Sequence, residues 1–116
     1  EISEQYINEL PIAKQRKVGM ARALATKPQL LMLDEVASGL NHTETDEMVA
    51  LLKRLNVEKK ITLFLIEHIM EMVMTVSQRV IVLDGGIKIA EGVPGDIVKD
   101  DNVIKAYLGE KYAKGR

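Results

Sequence analysis

Two blocks of mostly apolar residues, each followed directly by polar side chains, are the clearest feature of the hydrophobic pattern. The first block, residues 30–33, is followed by Asp34 and Glu35, and the second, residues 61–66, is followed by an acidic residue and His68. Apolar runs of this length predict strands that are buried on both faces, as in a parallel sheet covered by helices.

Apolar residues at helical spacing predict helices between and around these blocks. The segment 43–55 has the most complete pattern, because acidic residues fill its first turn and basic residues its last, which complements the helix dipole. The other predicted helices lie at residues 13–25, 69–76 and 103–108, and one more short helix begins at Pro94.

A third apolar run, residues 80–83, is followed by Asp84-Gly85-Gly86, which is typical of a tight hairpin turn into a strand at residues 87–90. Strands that alternate with helices predict an α/β fold with right-handed crossovers, in which residues 80–83 form a third parallel strand. We therefore expect a parallel sheet with flanking helices, a small C-terminal β-hairpin and terminal helices.

Composition places the chain among ordinary globular domains. Its 116 residues are 47% hydrophobic and 28% charged, with a net charge of -1, so no positive field points to nucleic acid. It has no cysteine and two histidines, and its apolar runs are far shorter than the ~20 residues that span a bilayer. We expect a soluble cytoplasmic domain and, because the sequence does not open with methionine, a piece of a longer protein.

Polar residues at the ends of the two predicted strands suggest a shared site. Asp34 and Glu35 follow one strand, Glu67 and His68 follow the next, and ligands of open α/β sheets bind beyond the carboxyl ends of strands. Adjacent carboxylates there suit a Mg²⁺–nucleotide site, with one acid for the metal and one for water. The alternative is a core strand running into a polar loop, with Asp34 as a cap or turn residue and His68 bonded to a carbonyl.

Four segments, in this order, resemble the C-terminal half of the ATP-binding subunit of ABC transporters. The resemblance links Ala21–Leu24 to the helix after the signature loop, Leu30–Glu35 to the Walker B strand, Ser38–Asn41 to the D-loop and His68 to the switch histidine. It implies a partial P-loop NTPase-type fold that uses ATP and Mg²⁺.

The resemblance also implies a role for each matching residue. Asp34 would hold Mg²⁺ through water, Glu35 would orient and polarise the attacking water, and His68 would hydrogen-bond the γ-phosphate. The nucleotide-binding residues would be those of the signature loop and the D-loop: Pro11, Ile12, Ala13, Lys14, Gln15, Ser38 and Gly39.

Residues 22–28, 37–41 and 103–110 are similar to ATPases of importers for branched-chain (hydrophobic) amino acids. That similarity implies a second ATPase subunit, two transmembrane permease subunits and a location on the inner face of the cell membrane. The resemblance also implies that residues 1–116 form one partial domain. This domain would consist of the signature loop and following helix at 1–28, the Walker B, D-loop and switch-histidine core at 29–83, and the hairpin and C-terminal helices at 84–116.

The sequence departs from the family pattern in two places that matter. The signature loop, Leu-Ser-Gly-Gly-Gln in most relatives, has Pro11 and Ala13 at the serine and second glycine positions, and Lys14 could partly compensate with a cation near the phosphates. No loop of the form G-x-x-x-x-G-K-S/T, which cradles the phosphates, occurs in the 116 residues. We therefore predict an ATPase in the full-length protein and no ATP turnover by this chain alone.

Two other functions stay open. One is a split or degenerate ABC-like protein that binds partners and regulates without hydrolysis, and the other is a soluble ABC protein acting on DNA or ribosomes, which the lack of a basic patch argues against. In either case the chain is expected to expose apolar surface, which self-association or its own N-terminal segment would cover. The alternating Met70, Met72 and Met74 are interpreted as core filler, and the basic residues of the first helix as a solvated face or a contact to phosphates across a dimer.

Overall fold

A computed structural model describes residues 11–108 of the chain, which fall into two compact units that divide between His68 and Ile69. The first unit contains α1 (Ile12–Leu24), β1 (Leu30–Asp34), α2 (His42–Val57) and β2 (Thr62–Ile66). The second contains α3 (Met70–Val76), β3 (Val80–Asp84), β4 (Ile87–Gly92), α4 (Pro94–Ile97), α5 (Asp101–Val103) and a π-helical turn (Ile104–Leu108). The α/β fold class predicted from the sequence is confirmed.

The first unit is built on a parallel pair of strands joined through a capped helix. β1 and β2 pair in register from Leu30 opposite Thr62 to the ends of both strands. The connecting helix α2 begins one residue earlier than predicted because Asn41 caps it. The Asn41 Oδ1 accepts from the Glu44 N–H at 2.8 Å, and the Glu44 Oε1 accepts from the Asn41 N–H at 3.0 Å. Buried apolar side chains of this unit are Met20, Leu31, Leu33, Val36, Ala37, Met48, Leu52, Leu55 and Ile61.

The prediction that β1 is buried on both faces is wrong for the described residues. Burial alternates along the strand, so that Leu31 and Leu33 are buried while Leu30 and Met32 are 51% and 67% exposed. In β2 the exposed positions include Phe64, which pairs with Met32, and Ile66. Among the described residues, only one face of the sheet is covered. An apolar run shows that a strand can be buried on both faces, but it does not show which segment supplies the second layer. The exposed face, made of Leu30, Met32, Phe64 and Ile66, is called the open sheet face below.

The second unit is an antiparallel hairpin with short helices. β3 and β4 are joined by Gly85 and Gly86, whose φ values of 58° and 82° suit the tight turn predicted from the sequence. The expectation that β3 is a third parallel strand is wrong, because its ladder partner is β4, and in the described chain β1 pairs with β2 alone. A two-residue turn brings β4 alongside β3 with little loop entropy, so this local pairing is the accessible one.

The core of the second unit consists of Val80, Val82, Ile97 and Val103, with Met70, Val73, Met74, Ile89 and Ala90 packed against them. Met72 is 3% exposed. The interpretation of the methionines as core filler is therefore confirmed. The last predicted helix is present in altered form: it begins at Asp101, and Ile104–Leu108 continue it as a π-helical turn, in which the Tyr107 hydroxyl donates to the Leu83 carbonyl. Predictions for residues 1–10 and 109–116 lie outside the described residues.

An ion cluster on the hairpin makes the second unit sensitive to acid. The Lys88 Nζ lies 2.7 Å from the Glu91 Oε1, and the Arg79 Nη2 and Nε lie 2.7 Å and 2.9 Å from the Glu91 Oε2. Hydrogen bonds from Lys88 and Arg79, with their positive charges, hold the pKa of Glu91 below its usual value.

We expect Glu91→Gln to remove one acid-dependent part of the stability. A carboxylate with a lowered folded-state pKa stabilises fully above the pKa of an unfolded glutamate, about 4.3, and this contribution is lost as pH falls through the lower folded value. The difference in melting temperature between the wild type and Glu91→Gln should be constant at neutral pH and shrink below about pH 4.5. Melting curves between pH 7 and pH 3 measure it. Glu58→Gln, which removes an exposed carboxylate 4.0 Å from Arg54, is the control, and a pH-independent difference for Glu91→Gln would contradict the prediction.

Candidate functional site

The two predicted catalytic residues lie at the ends of the paired strands and contact each other. The His68 Nδ1 is 3.2 Å from the Glu35 Oε1, and both side chains are more than half exposed. An exposed pair of this kind adds little to stability. Its accessibility leaves both groups available to a ligand at the sheet edge, which is where the sequence placed the site.

Glu35 has an unusual backbone conformation. Its φ of +52° lies in the left-handed region, which non-glycine residues rarely occupy. The Glu35 N–H donates to the Ile66 carbonyl at 2.8 Å, and the Glu35 carbonyl accepts from the Ser38 N–H at 3.1 Å. These bonds turn the chain sharply at the end of β1, so that the Glu35 side chain leaves the strand toward the end of β2.

Asp34, the predicted metal ligand, is the last residue of β1 and is exposed. Among residues 11–108 no three carboxylate or imidazole groups lie close enough to form a metal site by themselves. This donor set still fits Mg²⁺, which proteins commonly hold through one or two carboxylates while phosphates and water supply the remaining oxygens. It does not fit a metal held by protein ligands alone.

The predicted D-loop is a compact turn that follows Glu35. Val36 and Ala37 are buried, whereas Ser38 and Gly39 are exposed. The Leu40 N–H donates to the Ala37 carbonyl at 3.2 Å, and Gly39 has a φ of +81°. The turn therefore anchors its first half in the core and presents its second half to solvent.

The five predicted signature residues, Pro11 to Gln15, form the start of α1. Pro11 precedes the first helical residue and its carbonyl accepts from the Gln15 N–H at 3.0 Å. The missing N–H of Pro11 therefore removes no hydrogen bond from α1, since Pro11 lies ahead of the first helical residue. Among residues 11–108 no side chain caps this N-terminus, and no acidic residue lies in the first turn of α1, so its N–H groups and dipole favour an anion.

The structure brings the signature segment and the D-loop turn together. The Arg16 Nη2 donates to the Ser38 carbonyl at 3.1 Å. A Cβ added at Gly39 would lie 3.1 Å from the Ile12 Cδ1, so α1 approaches the turn closely where a glycine occupies it. Two groups of predicted nucleotide-binding residues thus belong to one surface.

Two residues to which the sequence gave no role within this site are part of its framework. The Glu67 Oε2 accepts from the Ala37 N–H at 3.2 Å, while the Glu67 Oε1 and the Arg16 Nε are buried and have no hydrogen-bond partner in the part of the chain that the structure describes. In the sequence, Glu67 is one of the polar residues at a strand end, and Arg16 is one of the basic residues of the first helix, interpreted as a solvated face or a contact to phosphates across a dimer. No local signal identifies either contact, because both join segments that are distant in sequence.

Comparison with known proteins explains this arrangement. A profile of the family described as "Branched-chain amino acid ATP-binding cassette transporter" matches residues 88–113. The high-affinity branched-chain amino acid transport ATP-binding protein of Pseudomonas aeruginosa is 43% identical over 110 residues, which are 95% of this chain and 43% of that protein. Its counterpart from Escherichia coli is 41% identical over the same shares of both chains. The chain corresponds to part of an ABC transporter ATP-binding subunit.

Solved structures agree with this assignment. An ATP-binding cassette of an ABC transporter superposes with a TM-score of 0.77 at 26% identity, over 91% of this chain and 43% of that one. A dimeric cassette bound to ADP and Pi superposes with a TM-score of 0.67 at 29% identity, over 75% of this chain and 37% of that one.

The chain thus spans less than half the length of the relatives it matches. Within residues 11–108 it has no helix that is long and apolar enough to cross a bilayer. The resemblance noted from the Walker B, D-loop and switch-histidine motifs is confirmed by these matches. The roles of individual residues stay predictions.

Proposed function

We propose that this chain supplies the metal-binding, water-activating and signature elements of an ABC importer ATPase for branched-chain amino acids. The observation that carries the proposal is the contact between Glu35 and His68 at the ends of adjacent strands, beside the turn that α1 approaches at Gly39. Relatives named for branched-chain amino acid transport support the substrate class.

In the proposed reaction, three side chains at the ends of β1 and β2 have separate roles. Asp34, at the end of β1, would hold Mg²⁺, and that ion would supply positive charge that neutralises the phosphates. Glu35 accepts a hydrogen bond from the attacking water, orients it and polarises it for attack on the terminal phosphate. His68 faces the same point from β2, where its Nδ1 contacts the Glu35 carboxylate and its Nε2 would hydrogen-bond the γ-phosphate.

The start of α1 acts on a different nucleotide in this proposal. In a dimer of ATPase subunits, the backbone N–H groups of Ile12 and Ala13 and the cation of Lys14 would contact the phosphates that the opposite subunit binds. Gln15, Ser38 and Gly39 would complete that surface. The dimeric cassette found with ADP and Pi supports this arrangement. Two permease subunits at the inner face of the membrane would complete the importer.

The proposal can be tested in a chimera, in which a relative supplies the phosphate-binding loop that the 116 residues do not contain. Replacing the matched segment of the Pseudomonas aeruginosa relative with this chain should give a protein that hydrolyses ATP and restores leucine uptake to cells lacking the relative. Hydrolysis without uptake would keep the ATPase assignment and reject the substrate class. A folded chimera, checked by circular dichroism, that neither hydrolyses ATP nor supports uptake would reject both.

A regulatory protein without hydrolysis is the second candidate, favoured by the absence of a hydroxyl at Pro11 and of a glycine at Ala13. Co-purification of the natural protein with a separate polypeptide that carries the phosphate-binding loop would support it. The chimera separates the two candidates, because restoration of turnover shows that these substitutions are compatible with hydrolysis.

We also propose that the chain, when it is alone, self-associates through the open sheet face. The strands β1 and β2 each have a free edge in the described chain, and half-exposed apolar side chains lie between those edges. Met32→Glu, which places a charge at the most exposed of these positions, should shift the chain toward monomer in sedimentation velocity across a concentration series. Val57→Glu, at an exposed apolar residue in α2, is the matched control. Equal association of both variants and the wild type would contradict the proposal.

A further inference from the structure

The left-handed conformation of Glu35 needs an explanation in the surrounding structure. A non-glycine residue at φ +52° is strained, and such strain persists only where neighbouring contacts hold the backbone in place. The backbone bonds to the Ile66 carbonyl and from the Ser38 N–H hold Glu35 directly. The second of these exists only while the turn after Glu35 keeps its shape.

Two charged side chains form hydrogen bonds to the backbone of that turn. Ala37 is 2% exposed, so its N–H has no access to water, and the Glu67 Oε2 accepts from it at 3.2 Å. At the next residue, the Arg16 Nη2 donates to the Ser38 carbonyl at 3.1 Å. Glu67 directly follows β2 and directly precedes His68, so it ties the turn to the strand end that carries the imidazole.

We propose that Glu67 is a positioning residue, which keeps the backbone of Glu35 left-handed and its carboxylate within reach of His68. The proposal rests on the proposed function for its catalytic consequence, and on the hydrogen bond to Ala37 for its structural part. Glu67 itself touches no nucleotide in this account, since its Oε1 is buried and its Oε2 is occupied by the Ala37 N–H. Arg16 supports the same turn through a separate contact.

The chemistry of Glu67 offers a matched pair of substitutions. Glu67→Gln has nearly the same shape and keeps a carbonyl oxygen that can accept from the Ala37 N–H. Glu67→Met has a similar length and replaces the carboxylate oxygens with a thioether, which is a weak acceptor. If the hydrogen bond matters, the methionine variant should be impaired and the glutamine variant should resemble the wild type.

The first test measures amide hydrogen exchange by NMR in the full 116-residue chain without nucleotide. Exchange of the Ala37 amide should rise about tenfold or more in Glu67→Met, as expected when a hydrogen bond to a charged group is lost. In Glu67→Gln it should stay within about threefold of the wild type. The amide of Leu52, which is 0% exposed, reports global opening and should change little in either variant.

The second test measures steady-state ATP hydrolysis in the chimera. Glu67→Met should lower kcat with little change in the KM for ATP, because a misplaced Glu35 affects the attack of water and not the binding of nucleotide. Glu67→Gln should restore kcat. If Glu67 only stabilised the fold, both variants would contain less active protein, and the kcat of the folded fraction would not differ between Glu67→Met and Glu67→Gln.

Unchanged Ala37 exchange in Glu67→Met would overturn the proposal, and so would an equal rise at Ala37 and Leu52. Full kcat in Glu67→Met, in a chimera that Glu35→Gln inactivates, would overturn its catalytic part. A chimera whose kcat Glu35→Gln does not change would instead reject the proposed function and leave the exchange result standing. If Glu67→Met does not fold, Glu67→Asp replaces it in the test. Aspartate keeps the charge, but its side chain is one methylene shorter and its carboxylate lies farther from the Ala37 N–H, so the same rise in Ala37 amide exchange is expected.

Discussion

The substitution Glu35→Gln in the chimera is expected to reduce kcat for ATP hydrolysis by about 10² to 10⁴, the range that a positioned general base contributes. Glutamine fills the same space and can still contact His68, but its neutral amide polarises water far less than a carboxylate does. Because nucleotide contacts are unchanged, the KM for ATP should stay near that of the unsubstituted chimera. Phosphate release under steady-state conditions measures both values.

The control for this experiment is Glu58→Gln, which neutralises an exposed carboxylate at the end of α2, away from the strand ends. It should leave kcat unchanged. If Glu35→Gln retains more than about a tenth of the activity, Glu35 does not activate the water, since a loss below tenfold corresponds to less than about 1.4 kcal/mol of transition-state stabilisation. Asp34 or a group of the missing half would then be the candidate to test.

The 116-residue chain on its own is expected to release phosphate from ATP no faster than a buffer blank. None of its loops has the glycine-rich form that binds the α- and β-phosphates through backbone N–H groups and supplies a lysine. Glu35 and His68 remain in place, but the terminal phosphate is not held near them. Positioning of this kind accounts for roughly 7 to 11 kcal/mol of a barrier when it is complete, so its loss is sufficient to abolish measurable turnover.

Two comparisons make the result for the isolated chain interpretable. The chimera, which adds the rest of the Pseudomonas aeruginosa relative to this segment, should hydrolyse ATP under the same conditions. The isolated chain carrying Glu35→Gln should show the same background as the unsubstituted chain, so any shared activity belongs to a contaminant. Hydrolysis by the isolated chain that disappears in Glu35→Gln would contradict the prediction and would require a phosphate site within this chain.

The sequence predicted those parts of the structure that depend on neighbours along the chain. The strand ends at Asp34 and Ile66, the hairpin turn at Gly85 and Gly86, and the helix between the two parallel strands all follow from local chemistry. The meeting of Glu35 and His68 also followed, since parallel strands place their carboxyl ends together. The comparisons confirm the family to which these motifs point.

Features set by contacts between distant segments were not predictable. The apolar run of β1 is compatible with one or two covered faces, and the pairing of β3 depended on whether a parallel neighbour or the adjacent strand β4 was available. The contacts of Arg16 and Glu67 with the turn between Ala37 and Ser38 join residues more than twenty positions apart. Polar residues at such positions look like ordinary surface charges in a sequence.

The two-residue turn between β3 and β4 has a consequence for the order of folding. Closing that hairpin costs little chain entropy, whereas the pairing of β1 with β2 must close the much longer segment between Asp34 and Thr62, which contains α2. Synthesis, however, delivers β1 and β2 before the hairpin. The hairpin is therefore made after β1 and β2 but can fold before they pair, and the apolar strands that carry the acidic residues stay unpaired until a more distant contact forms.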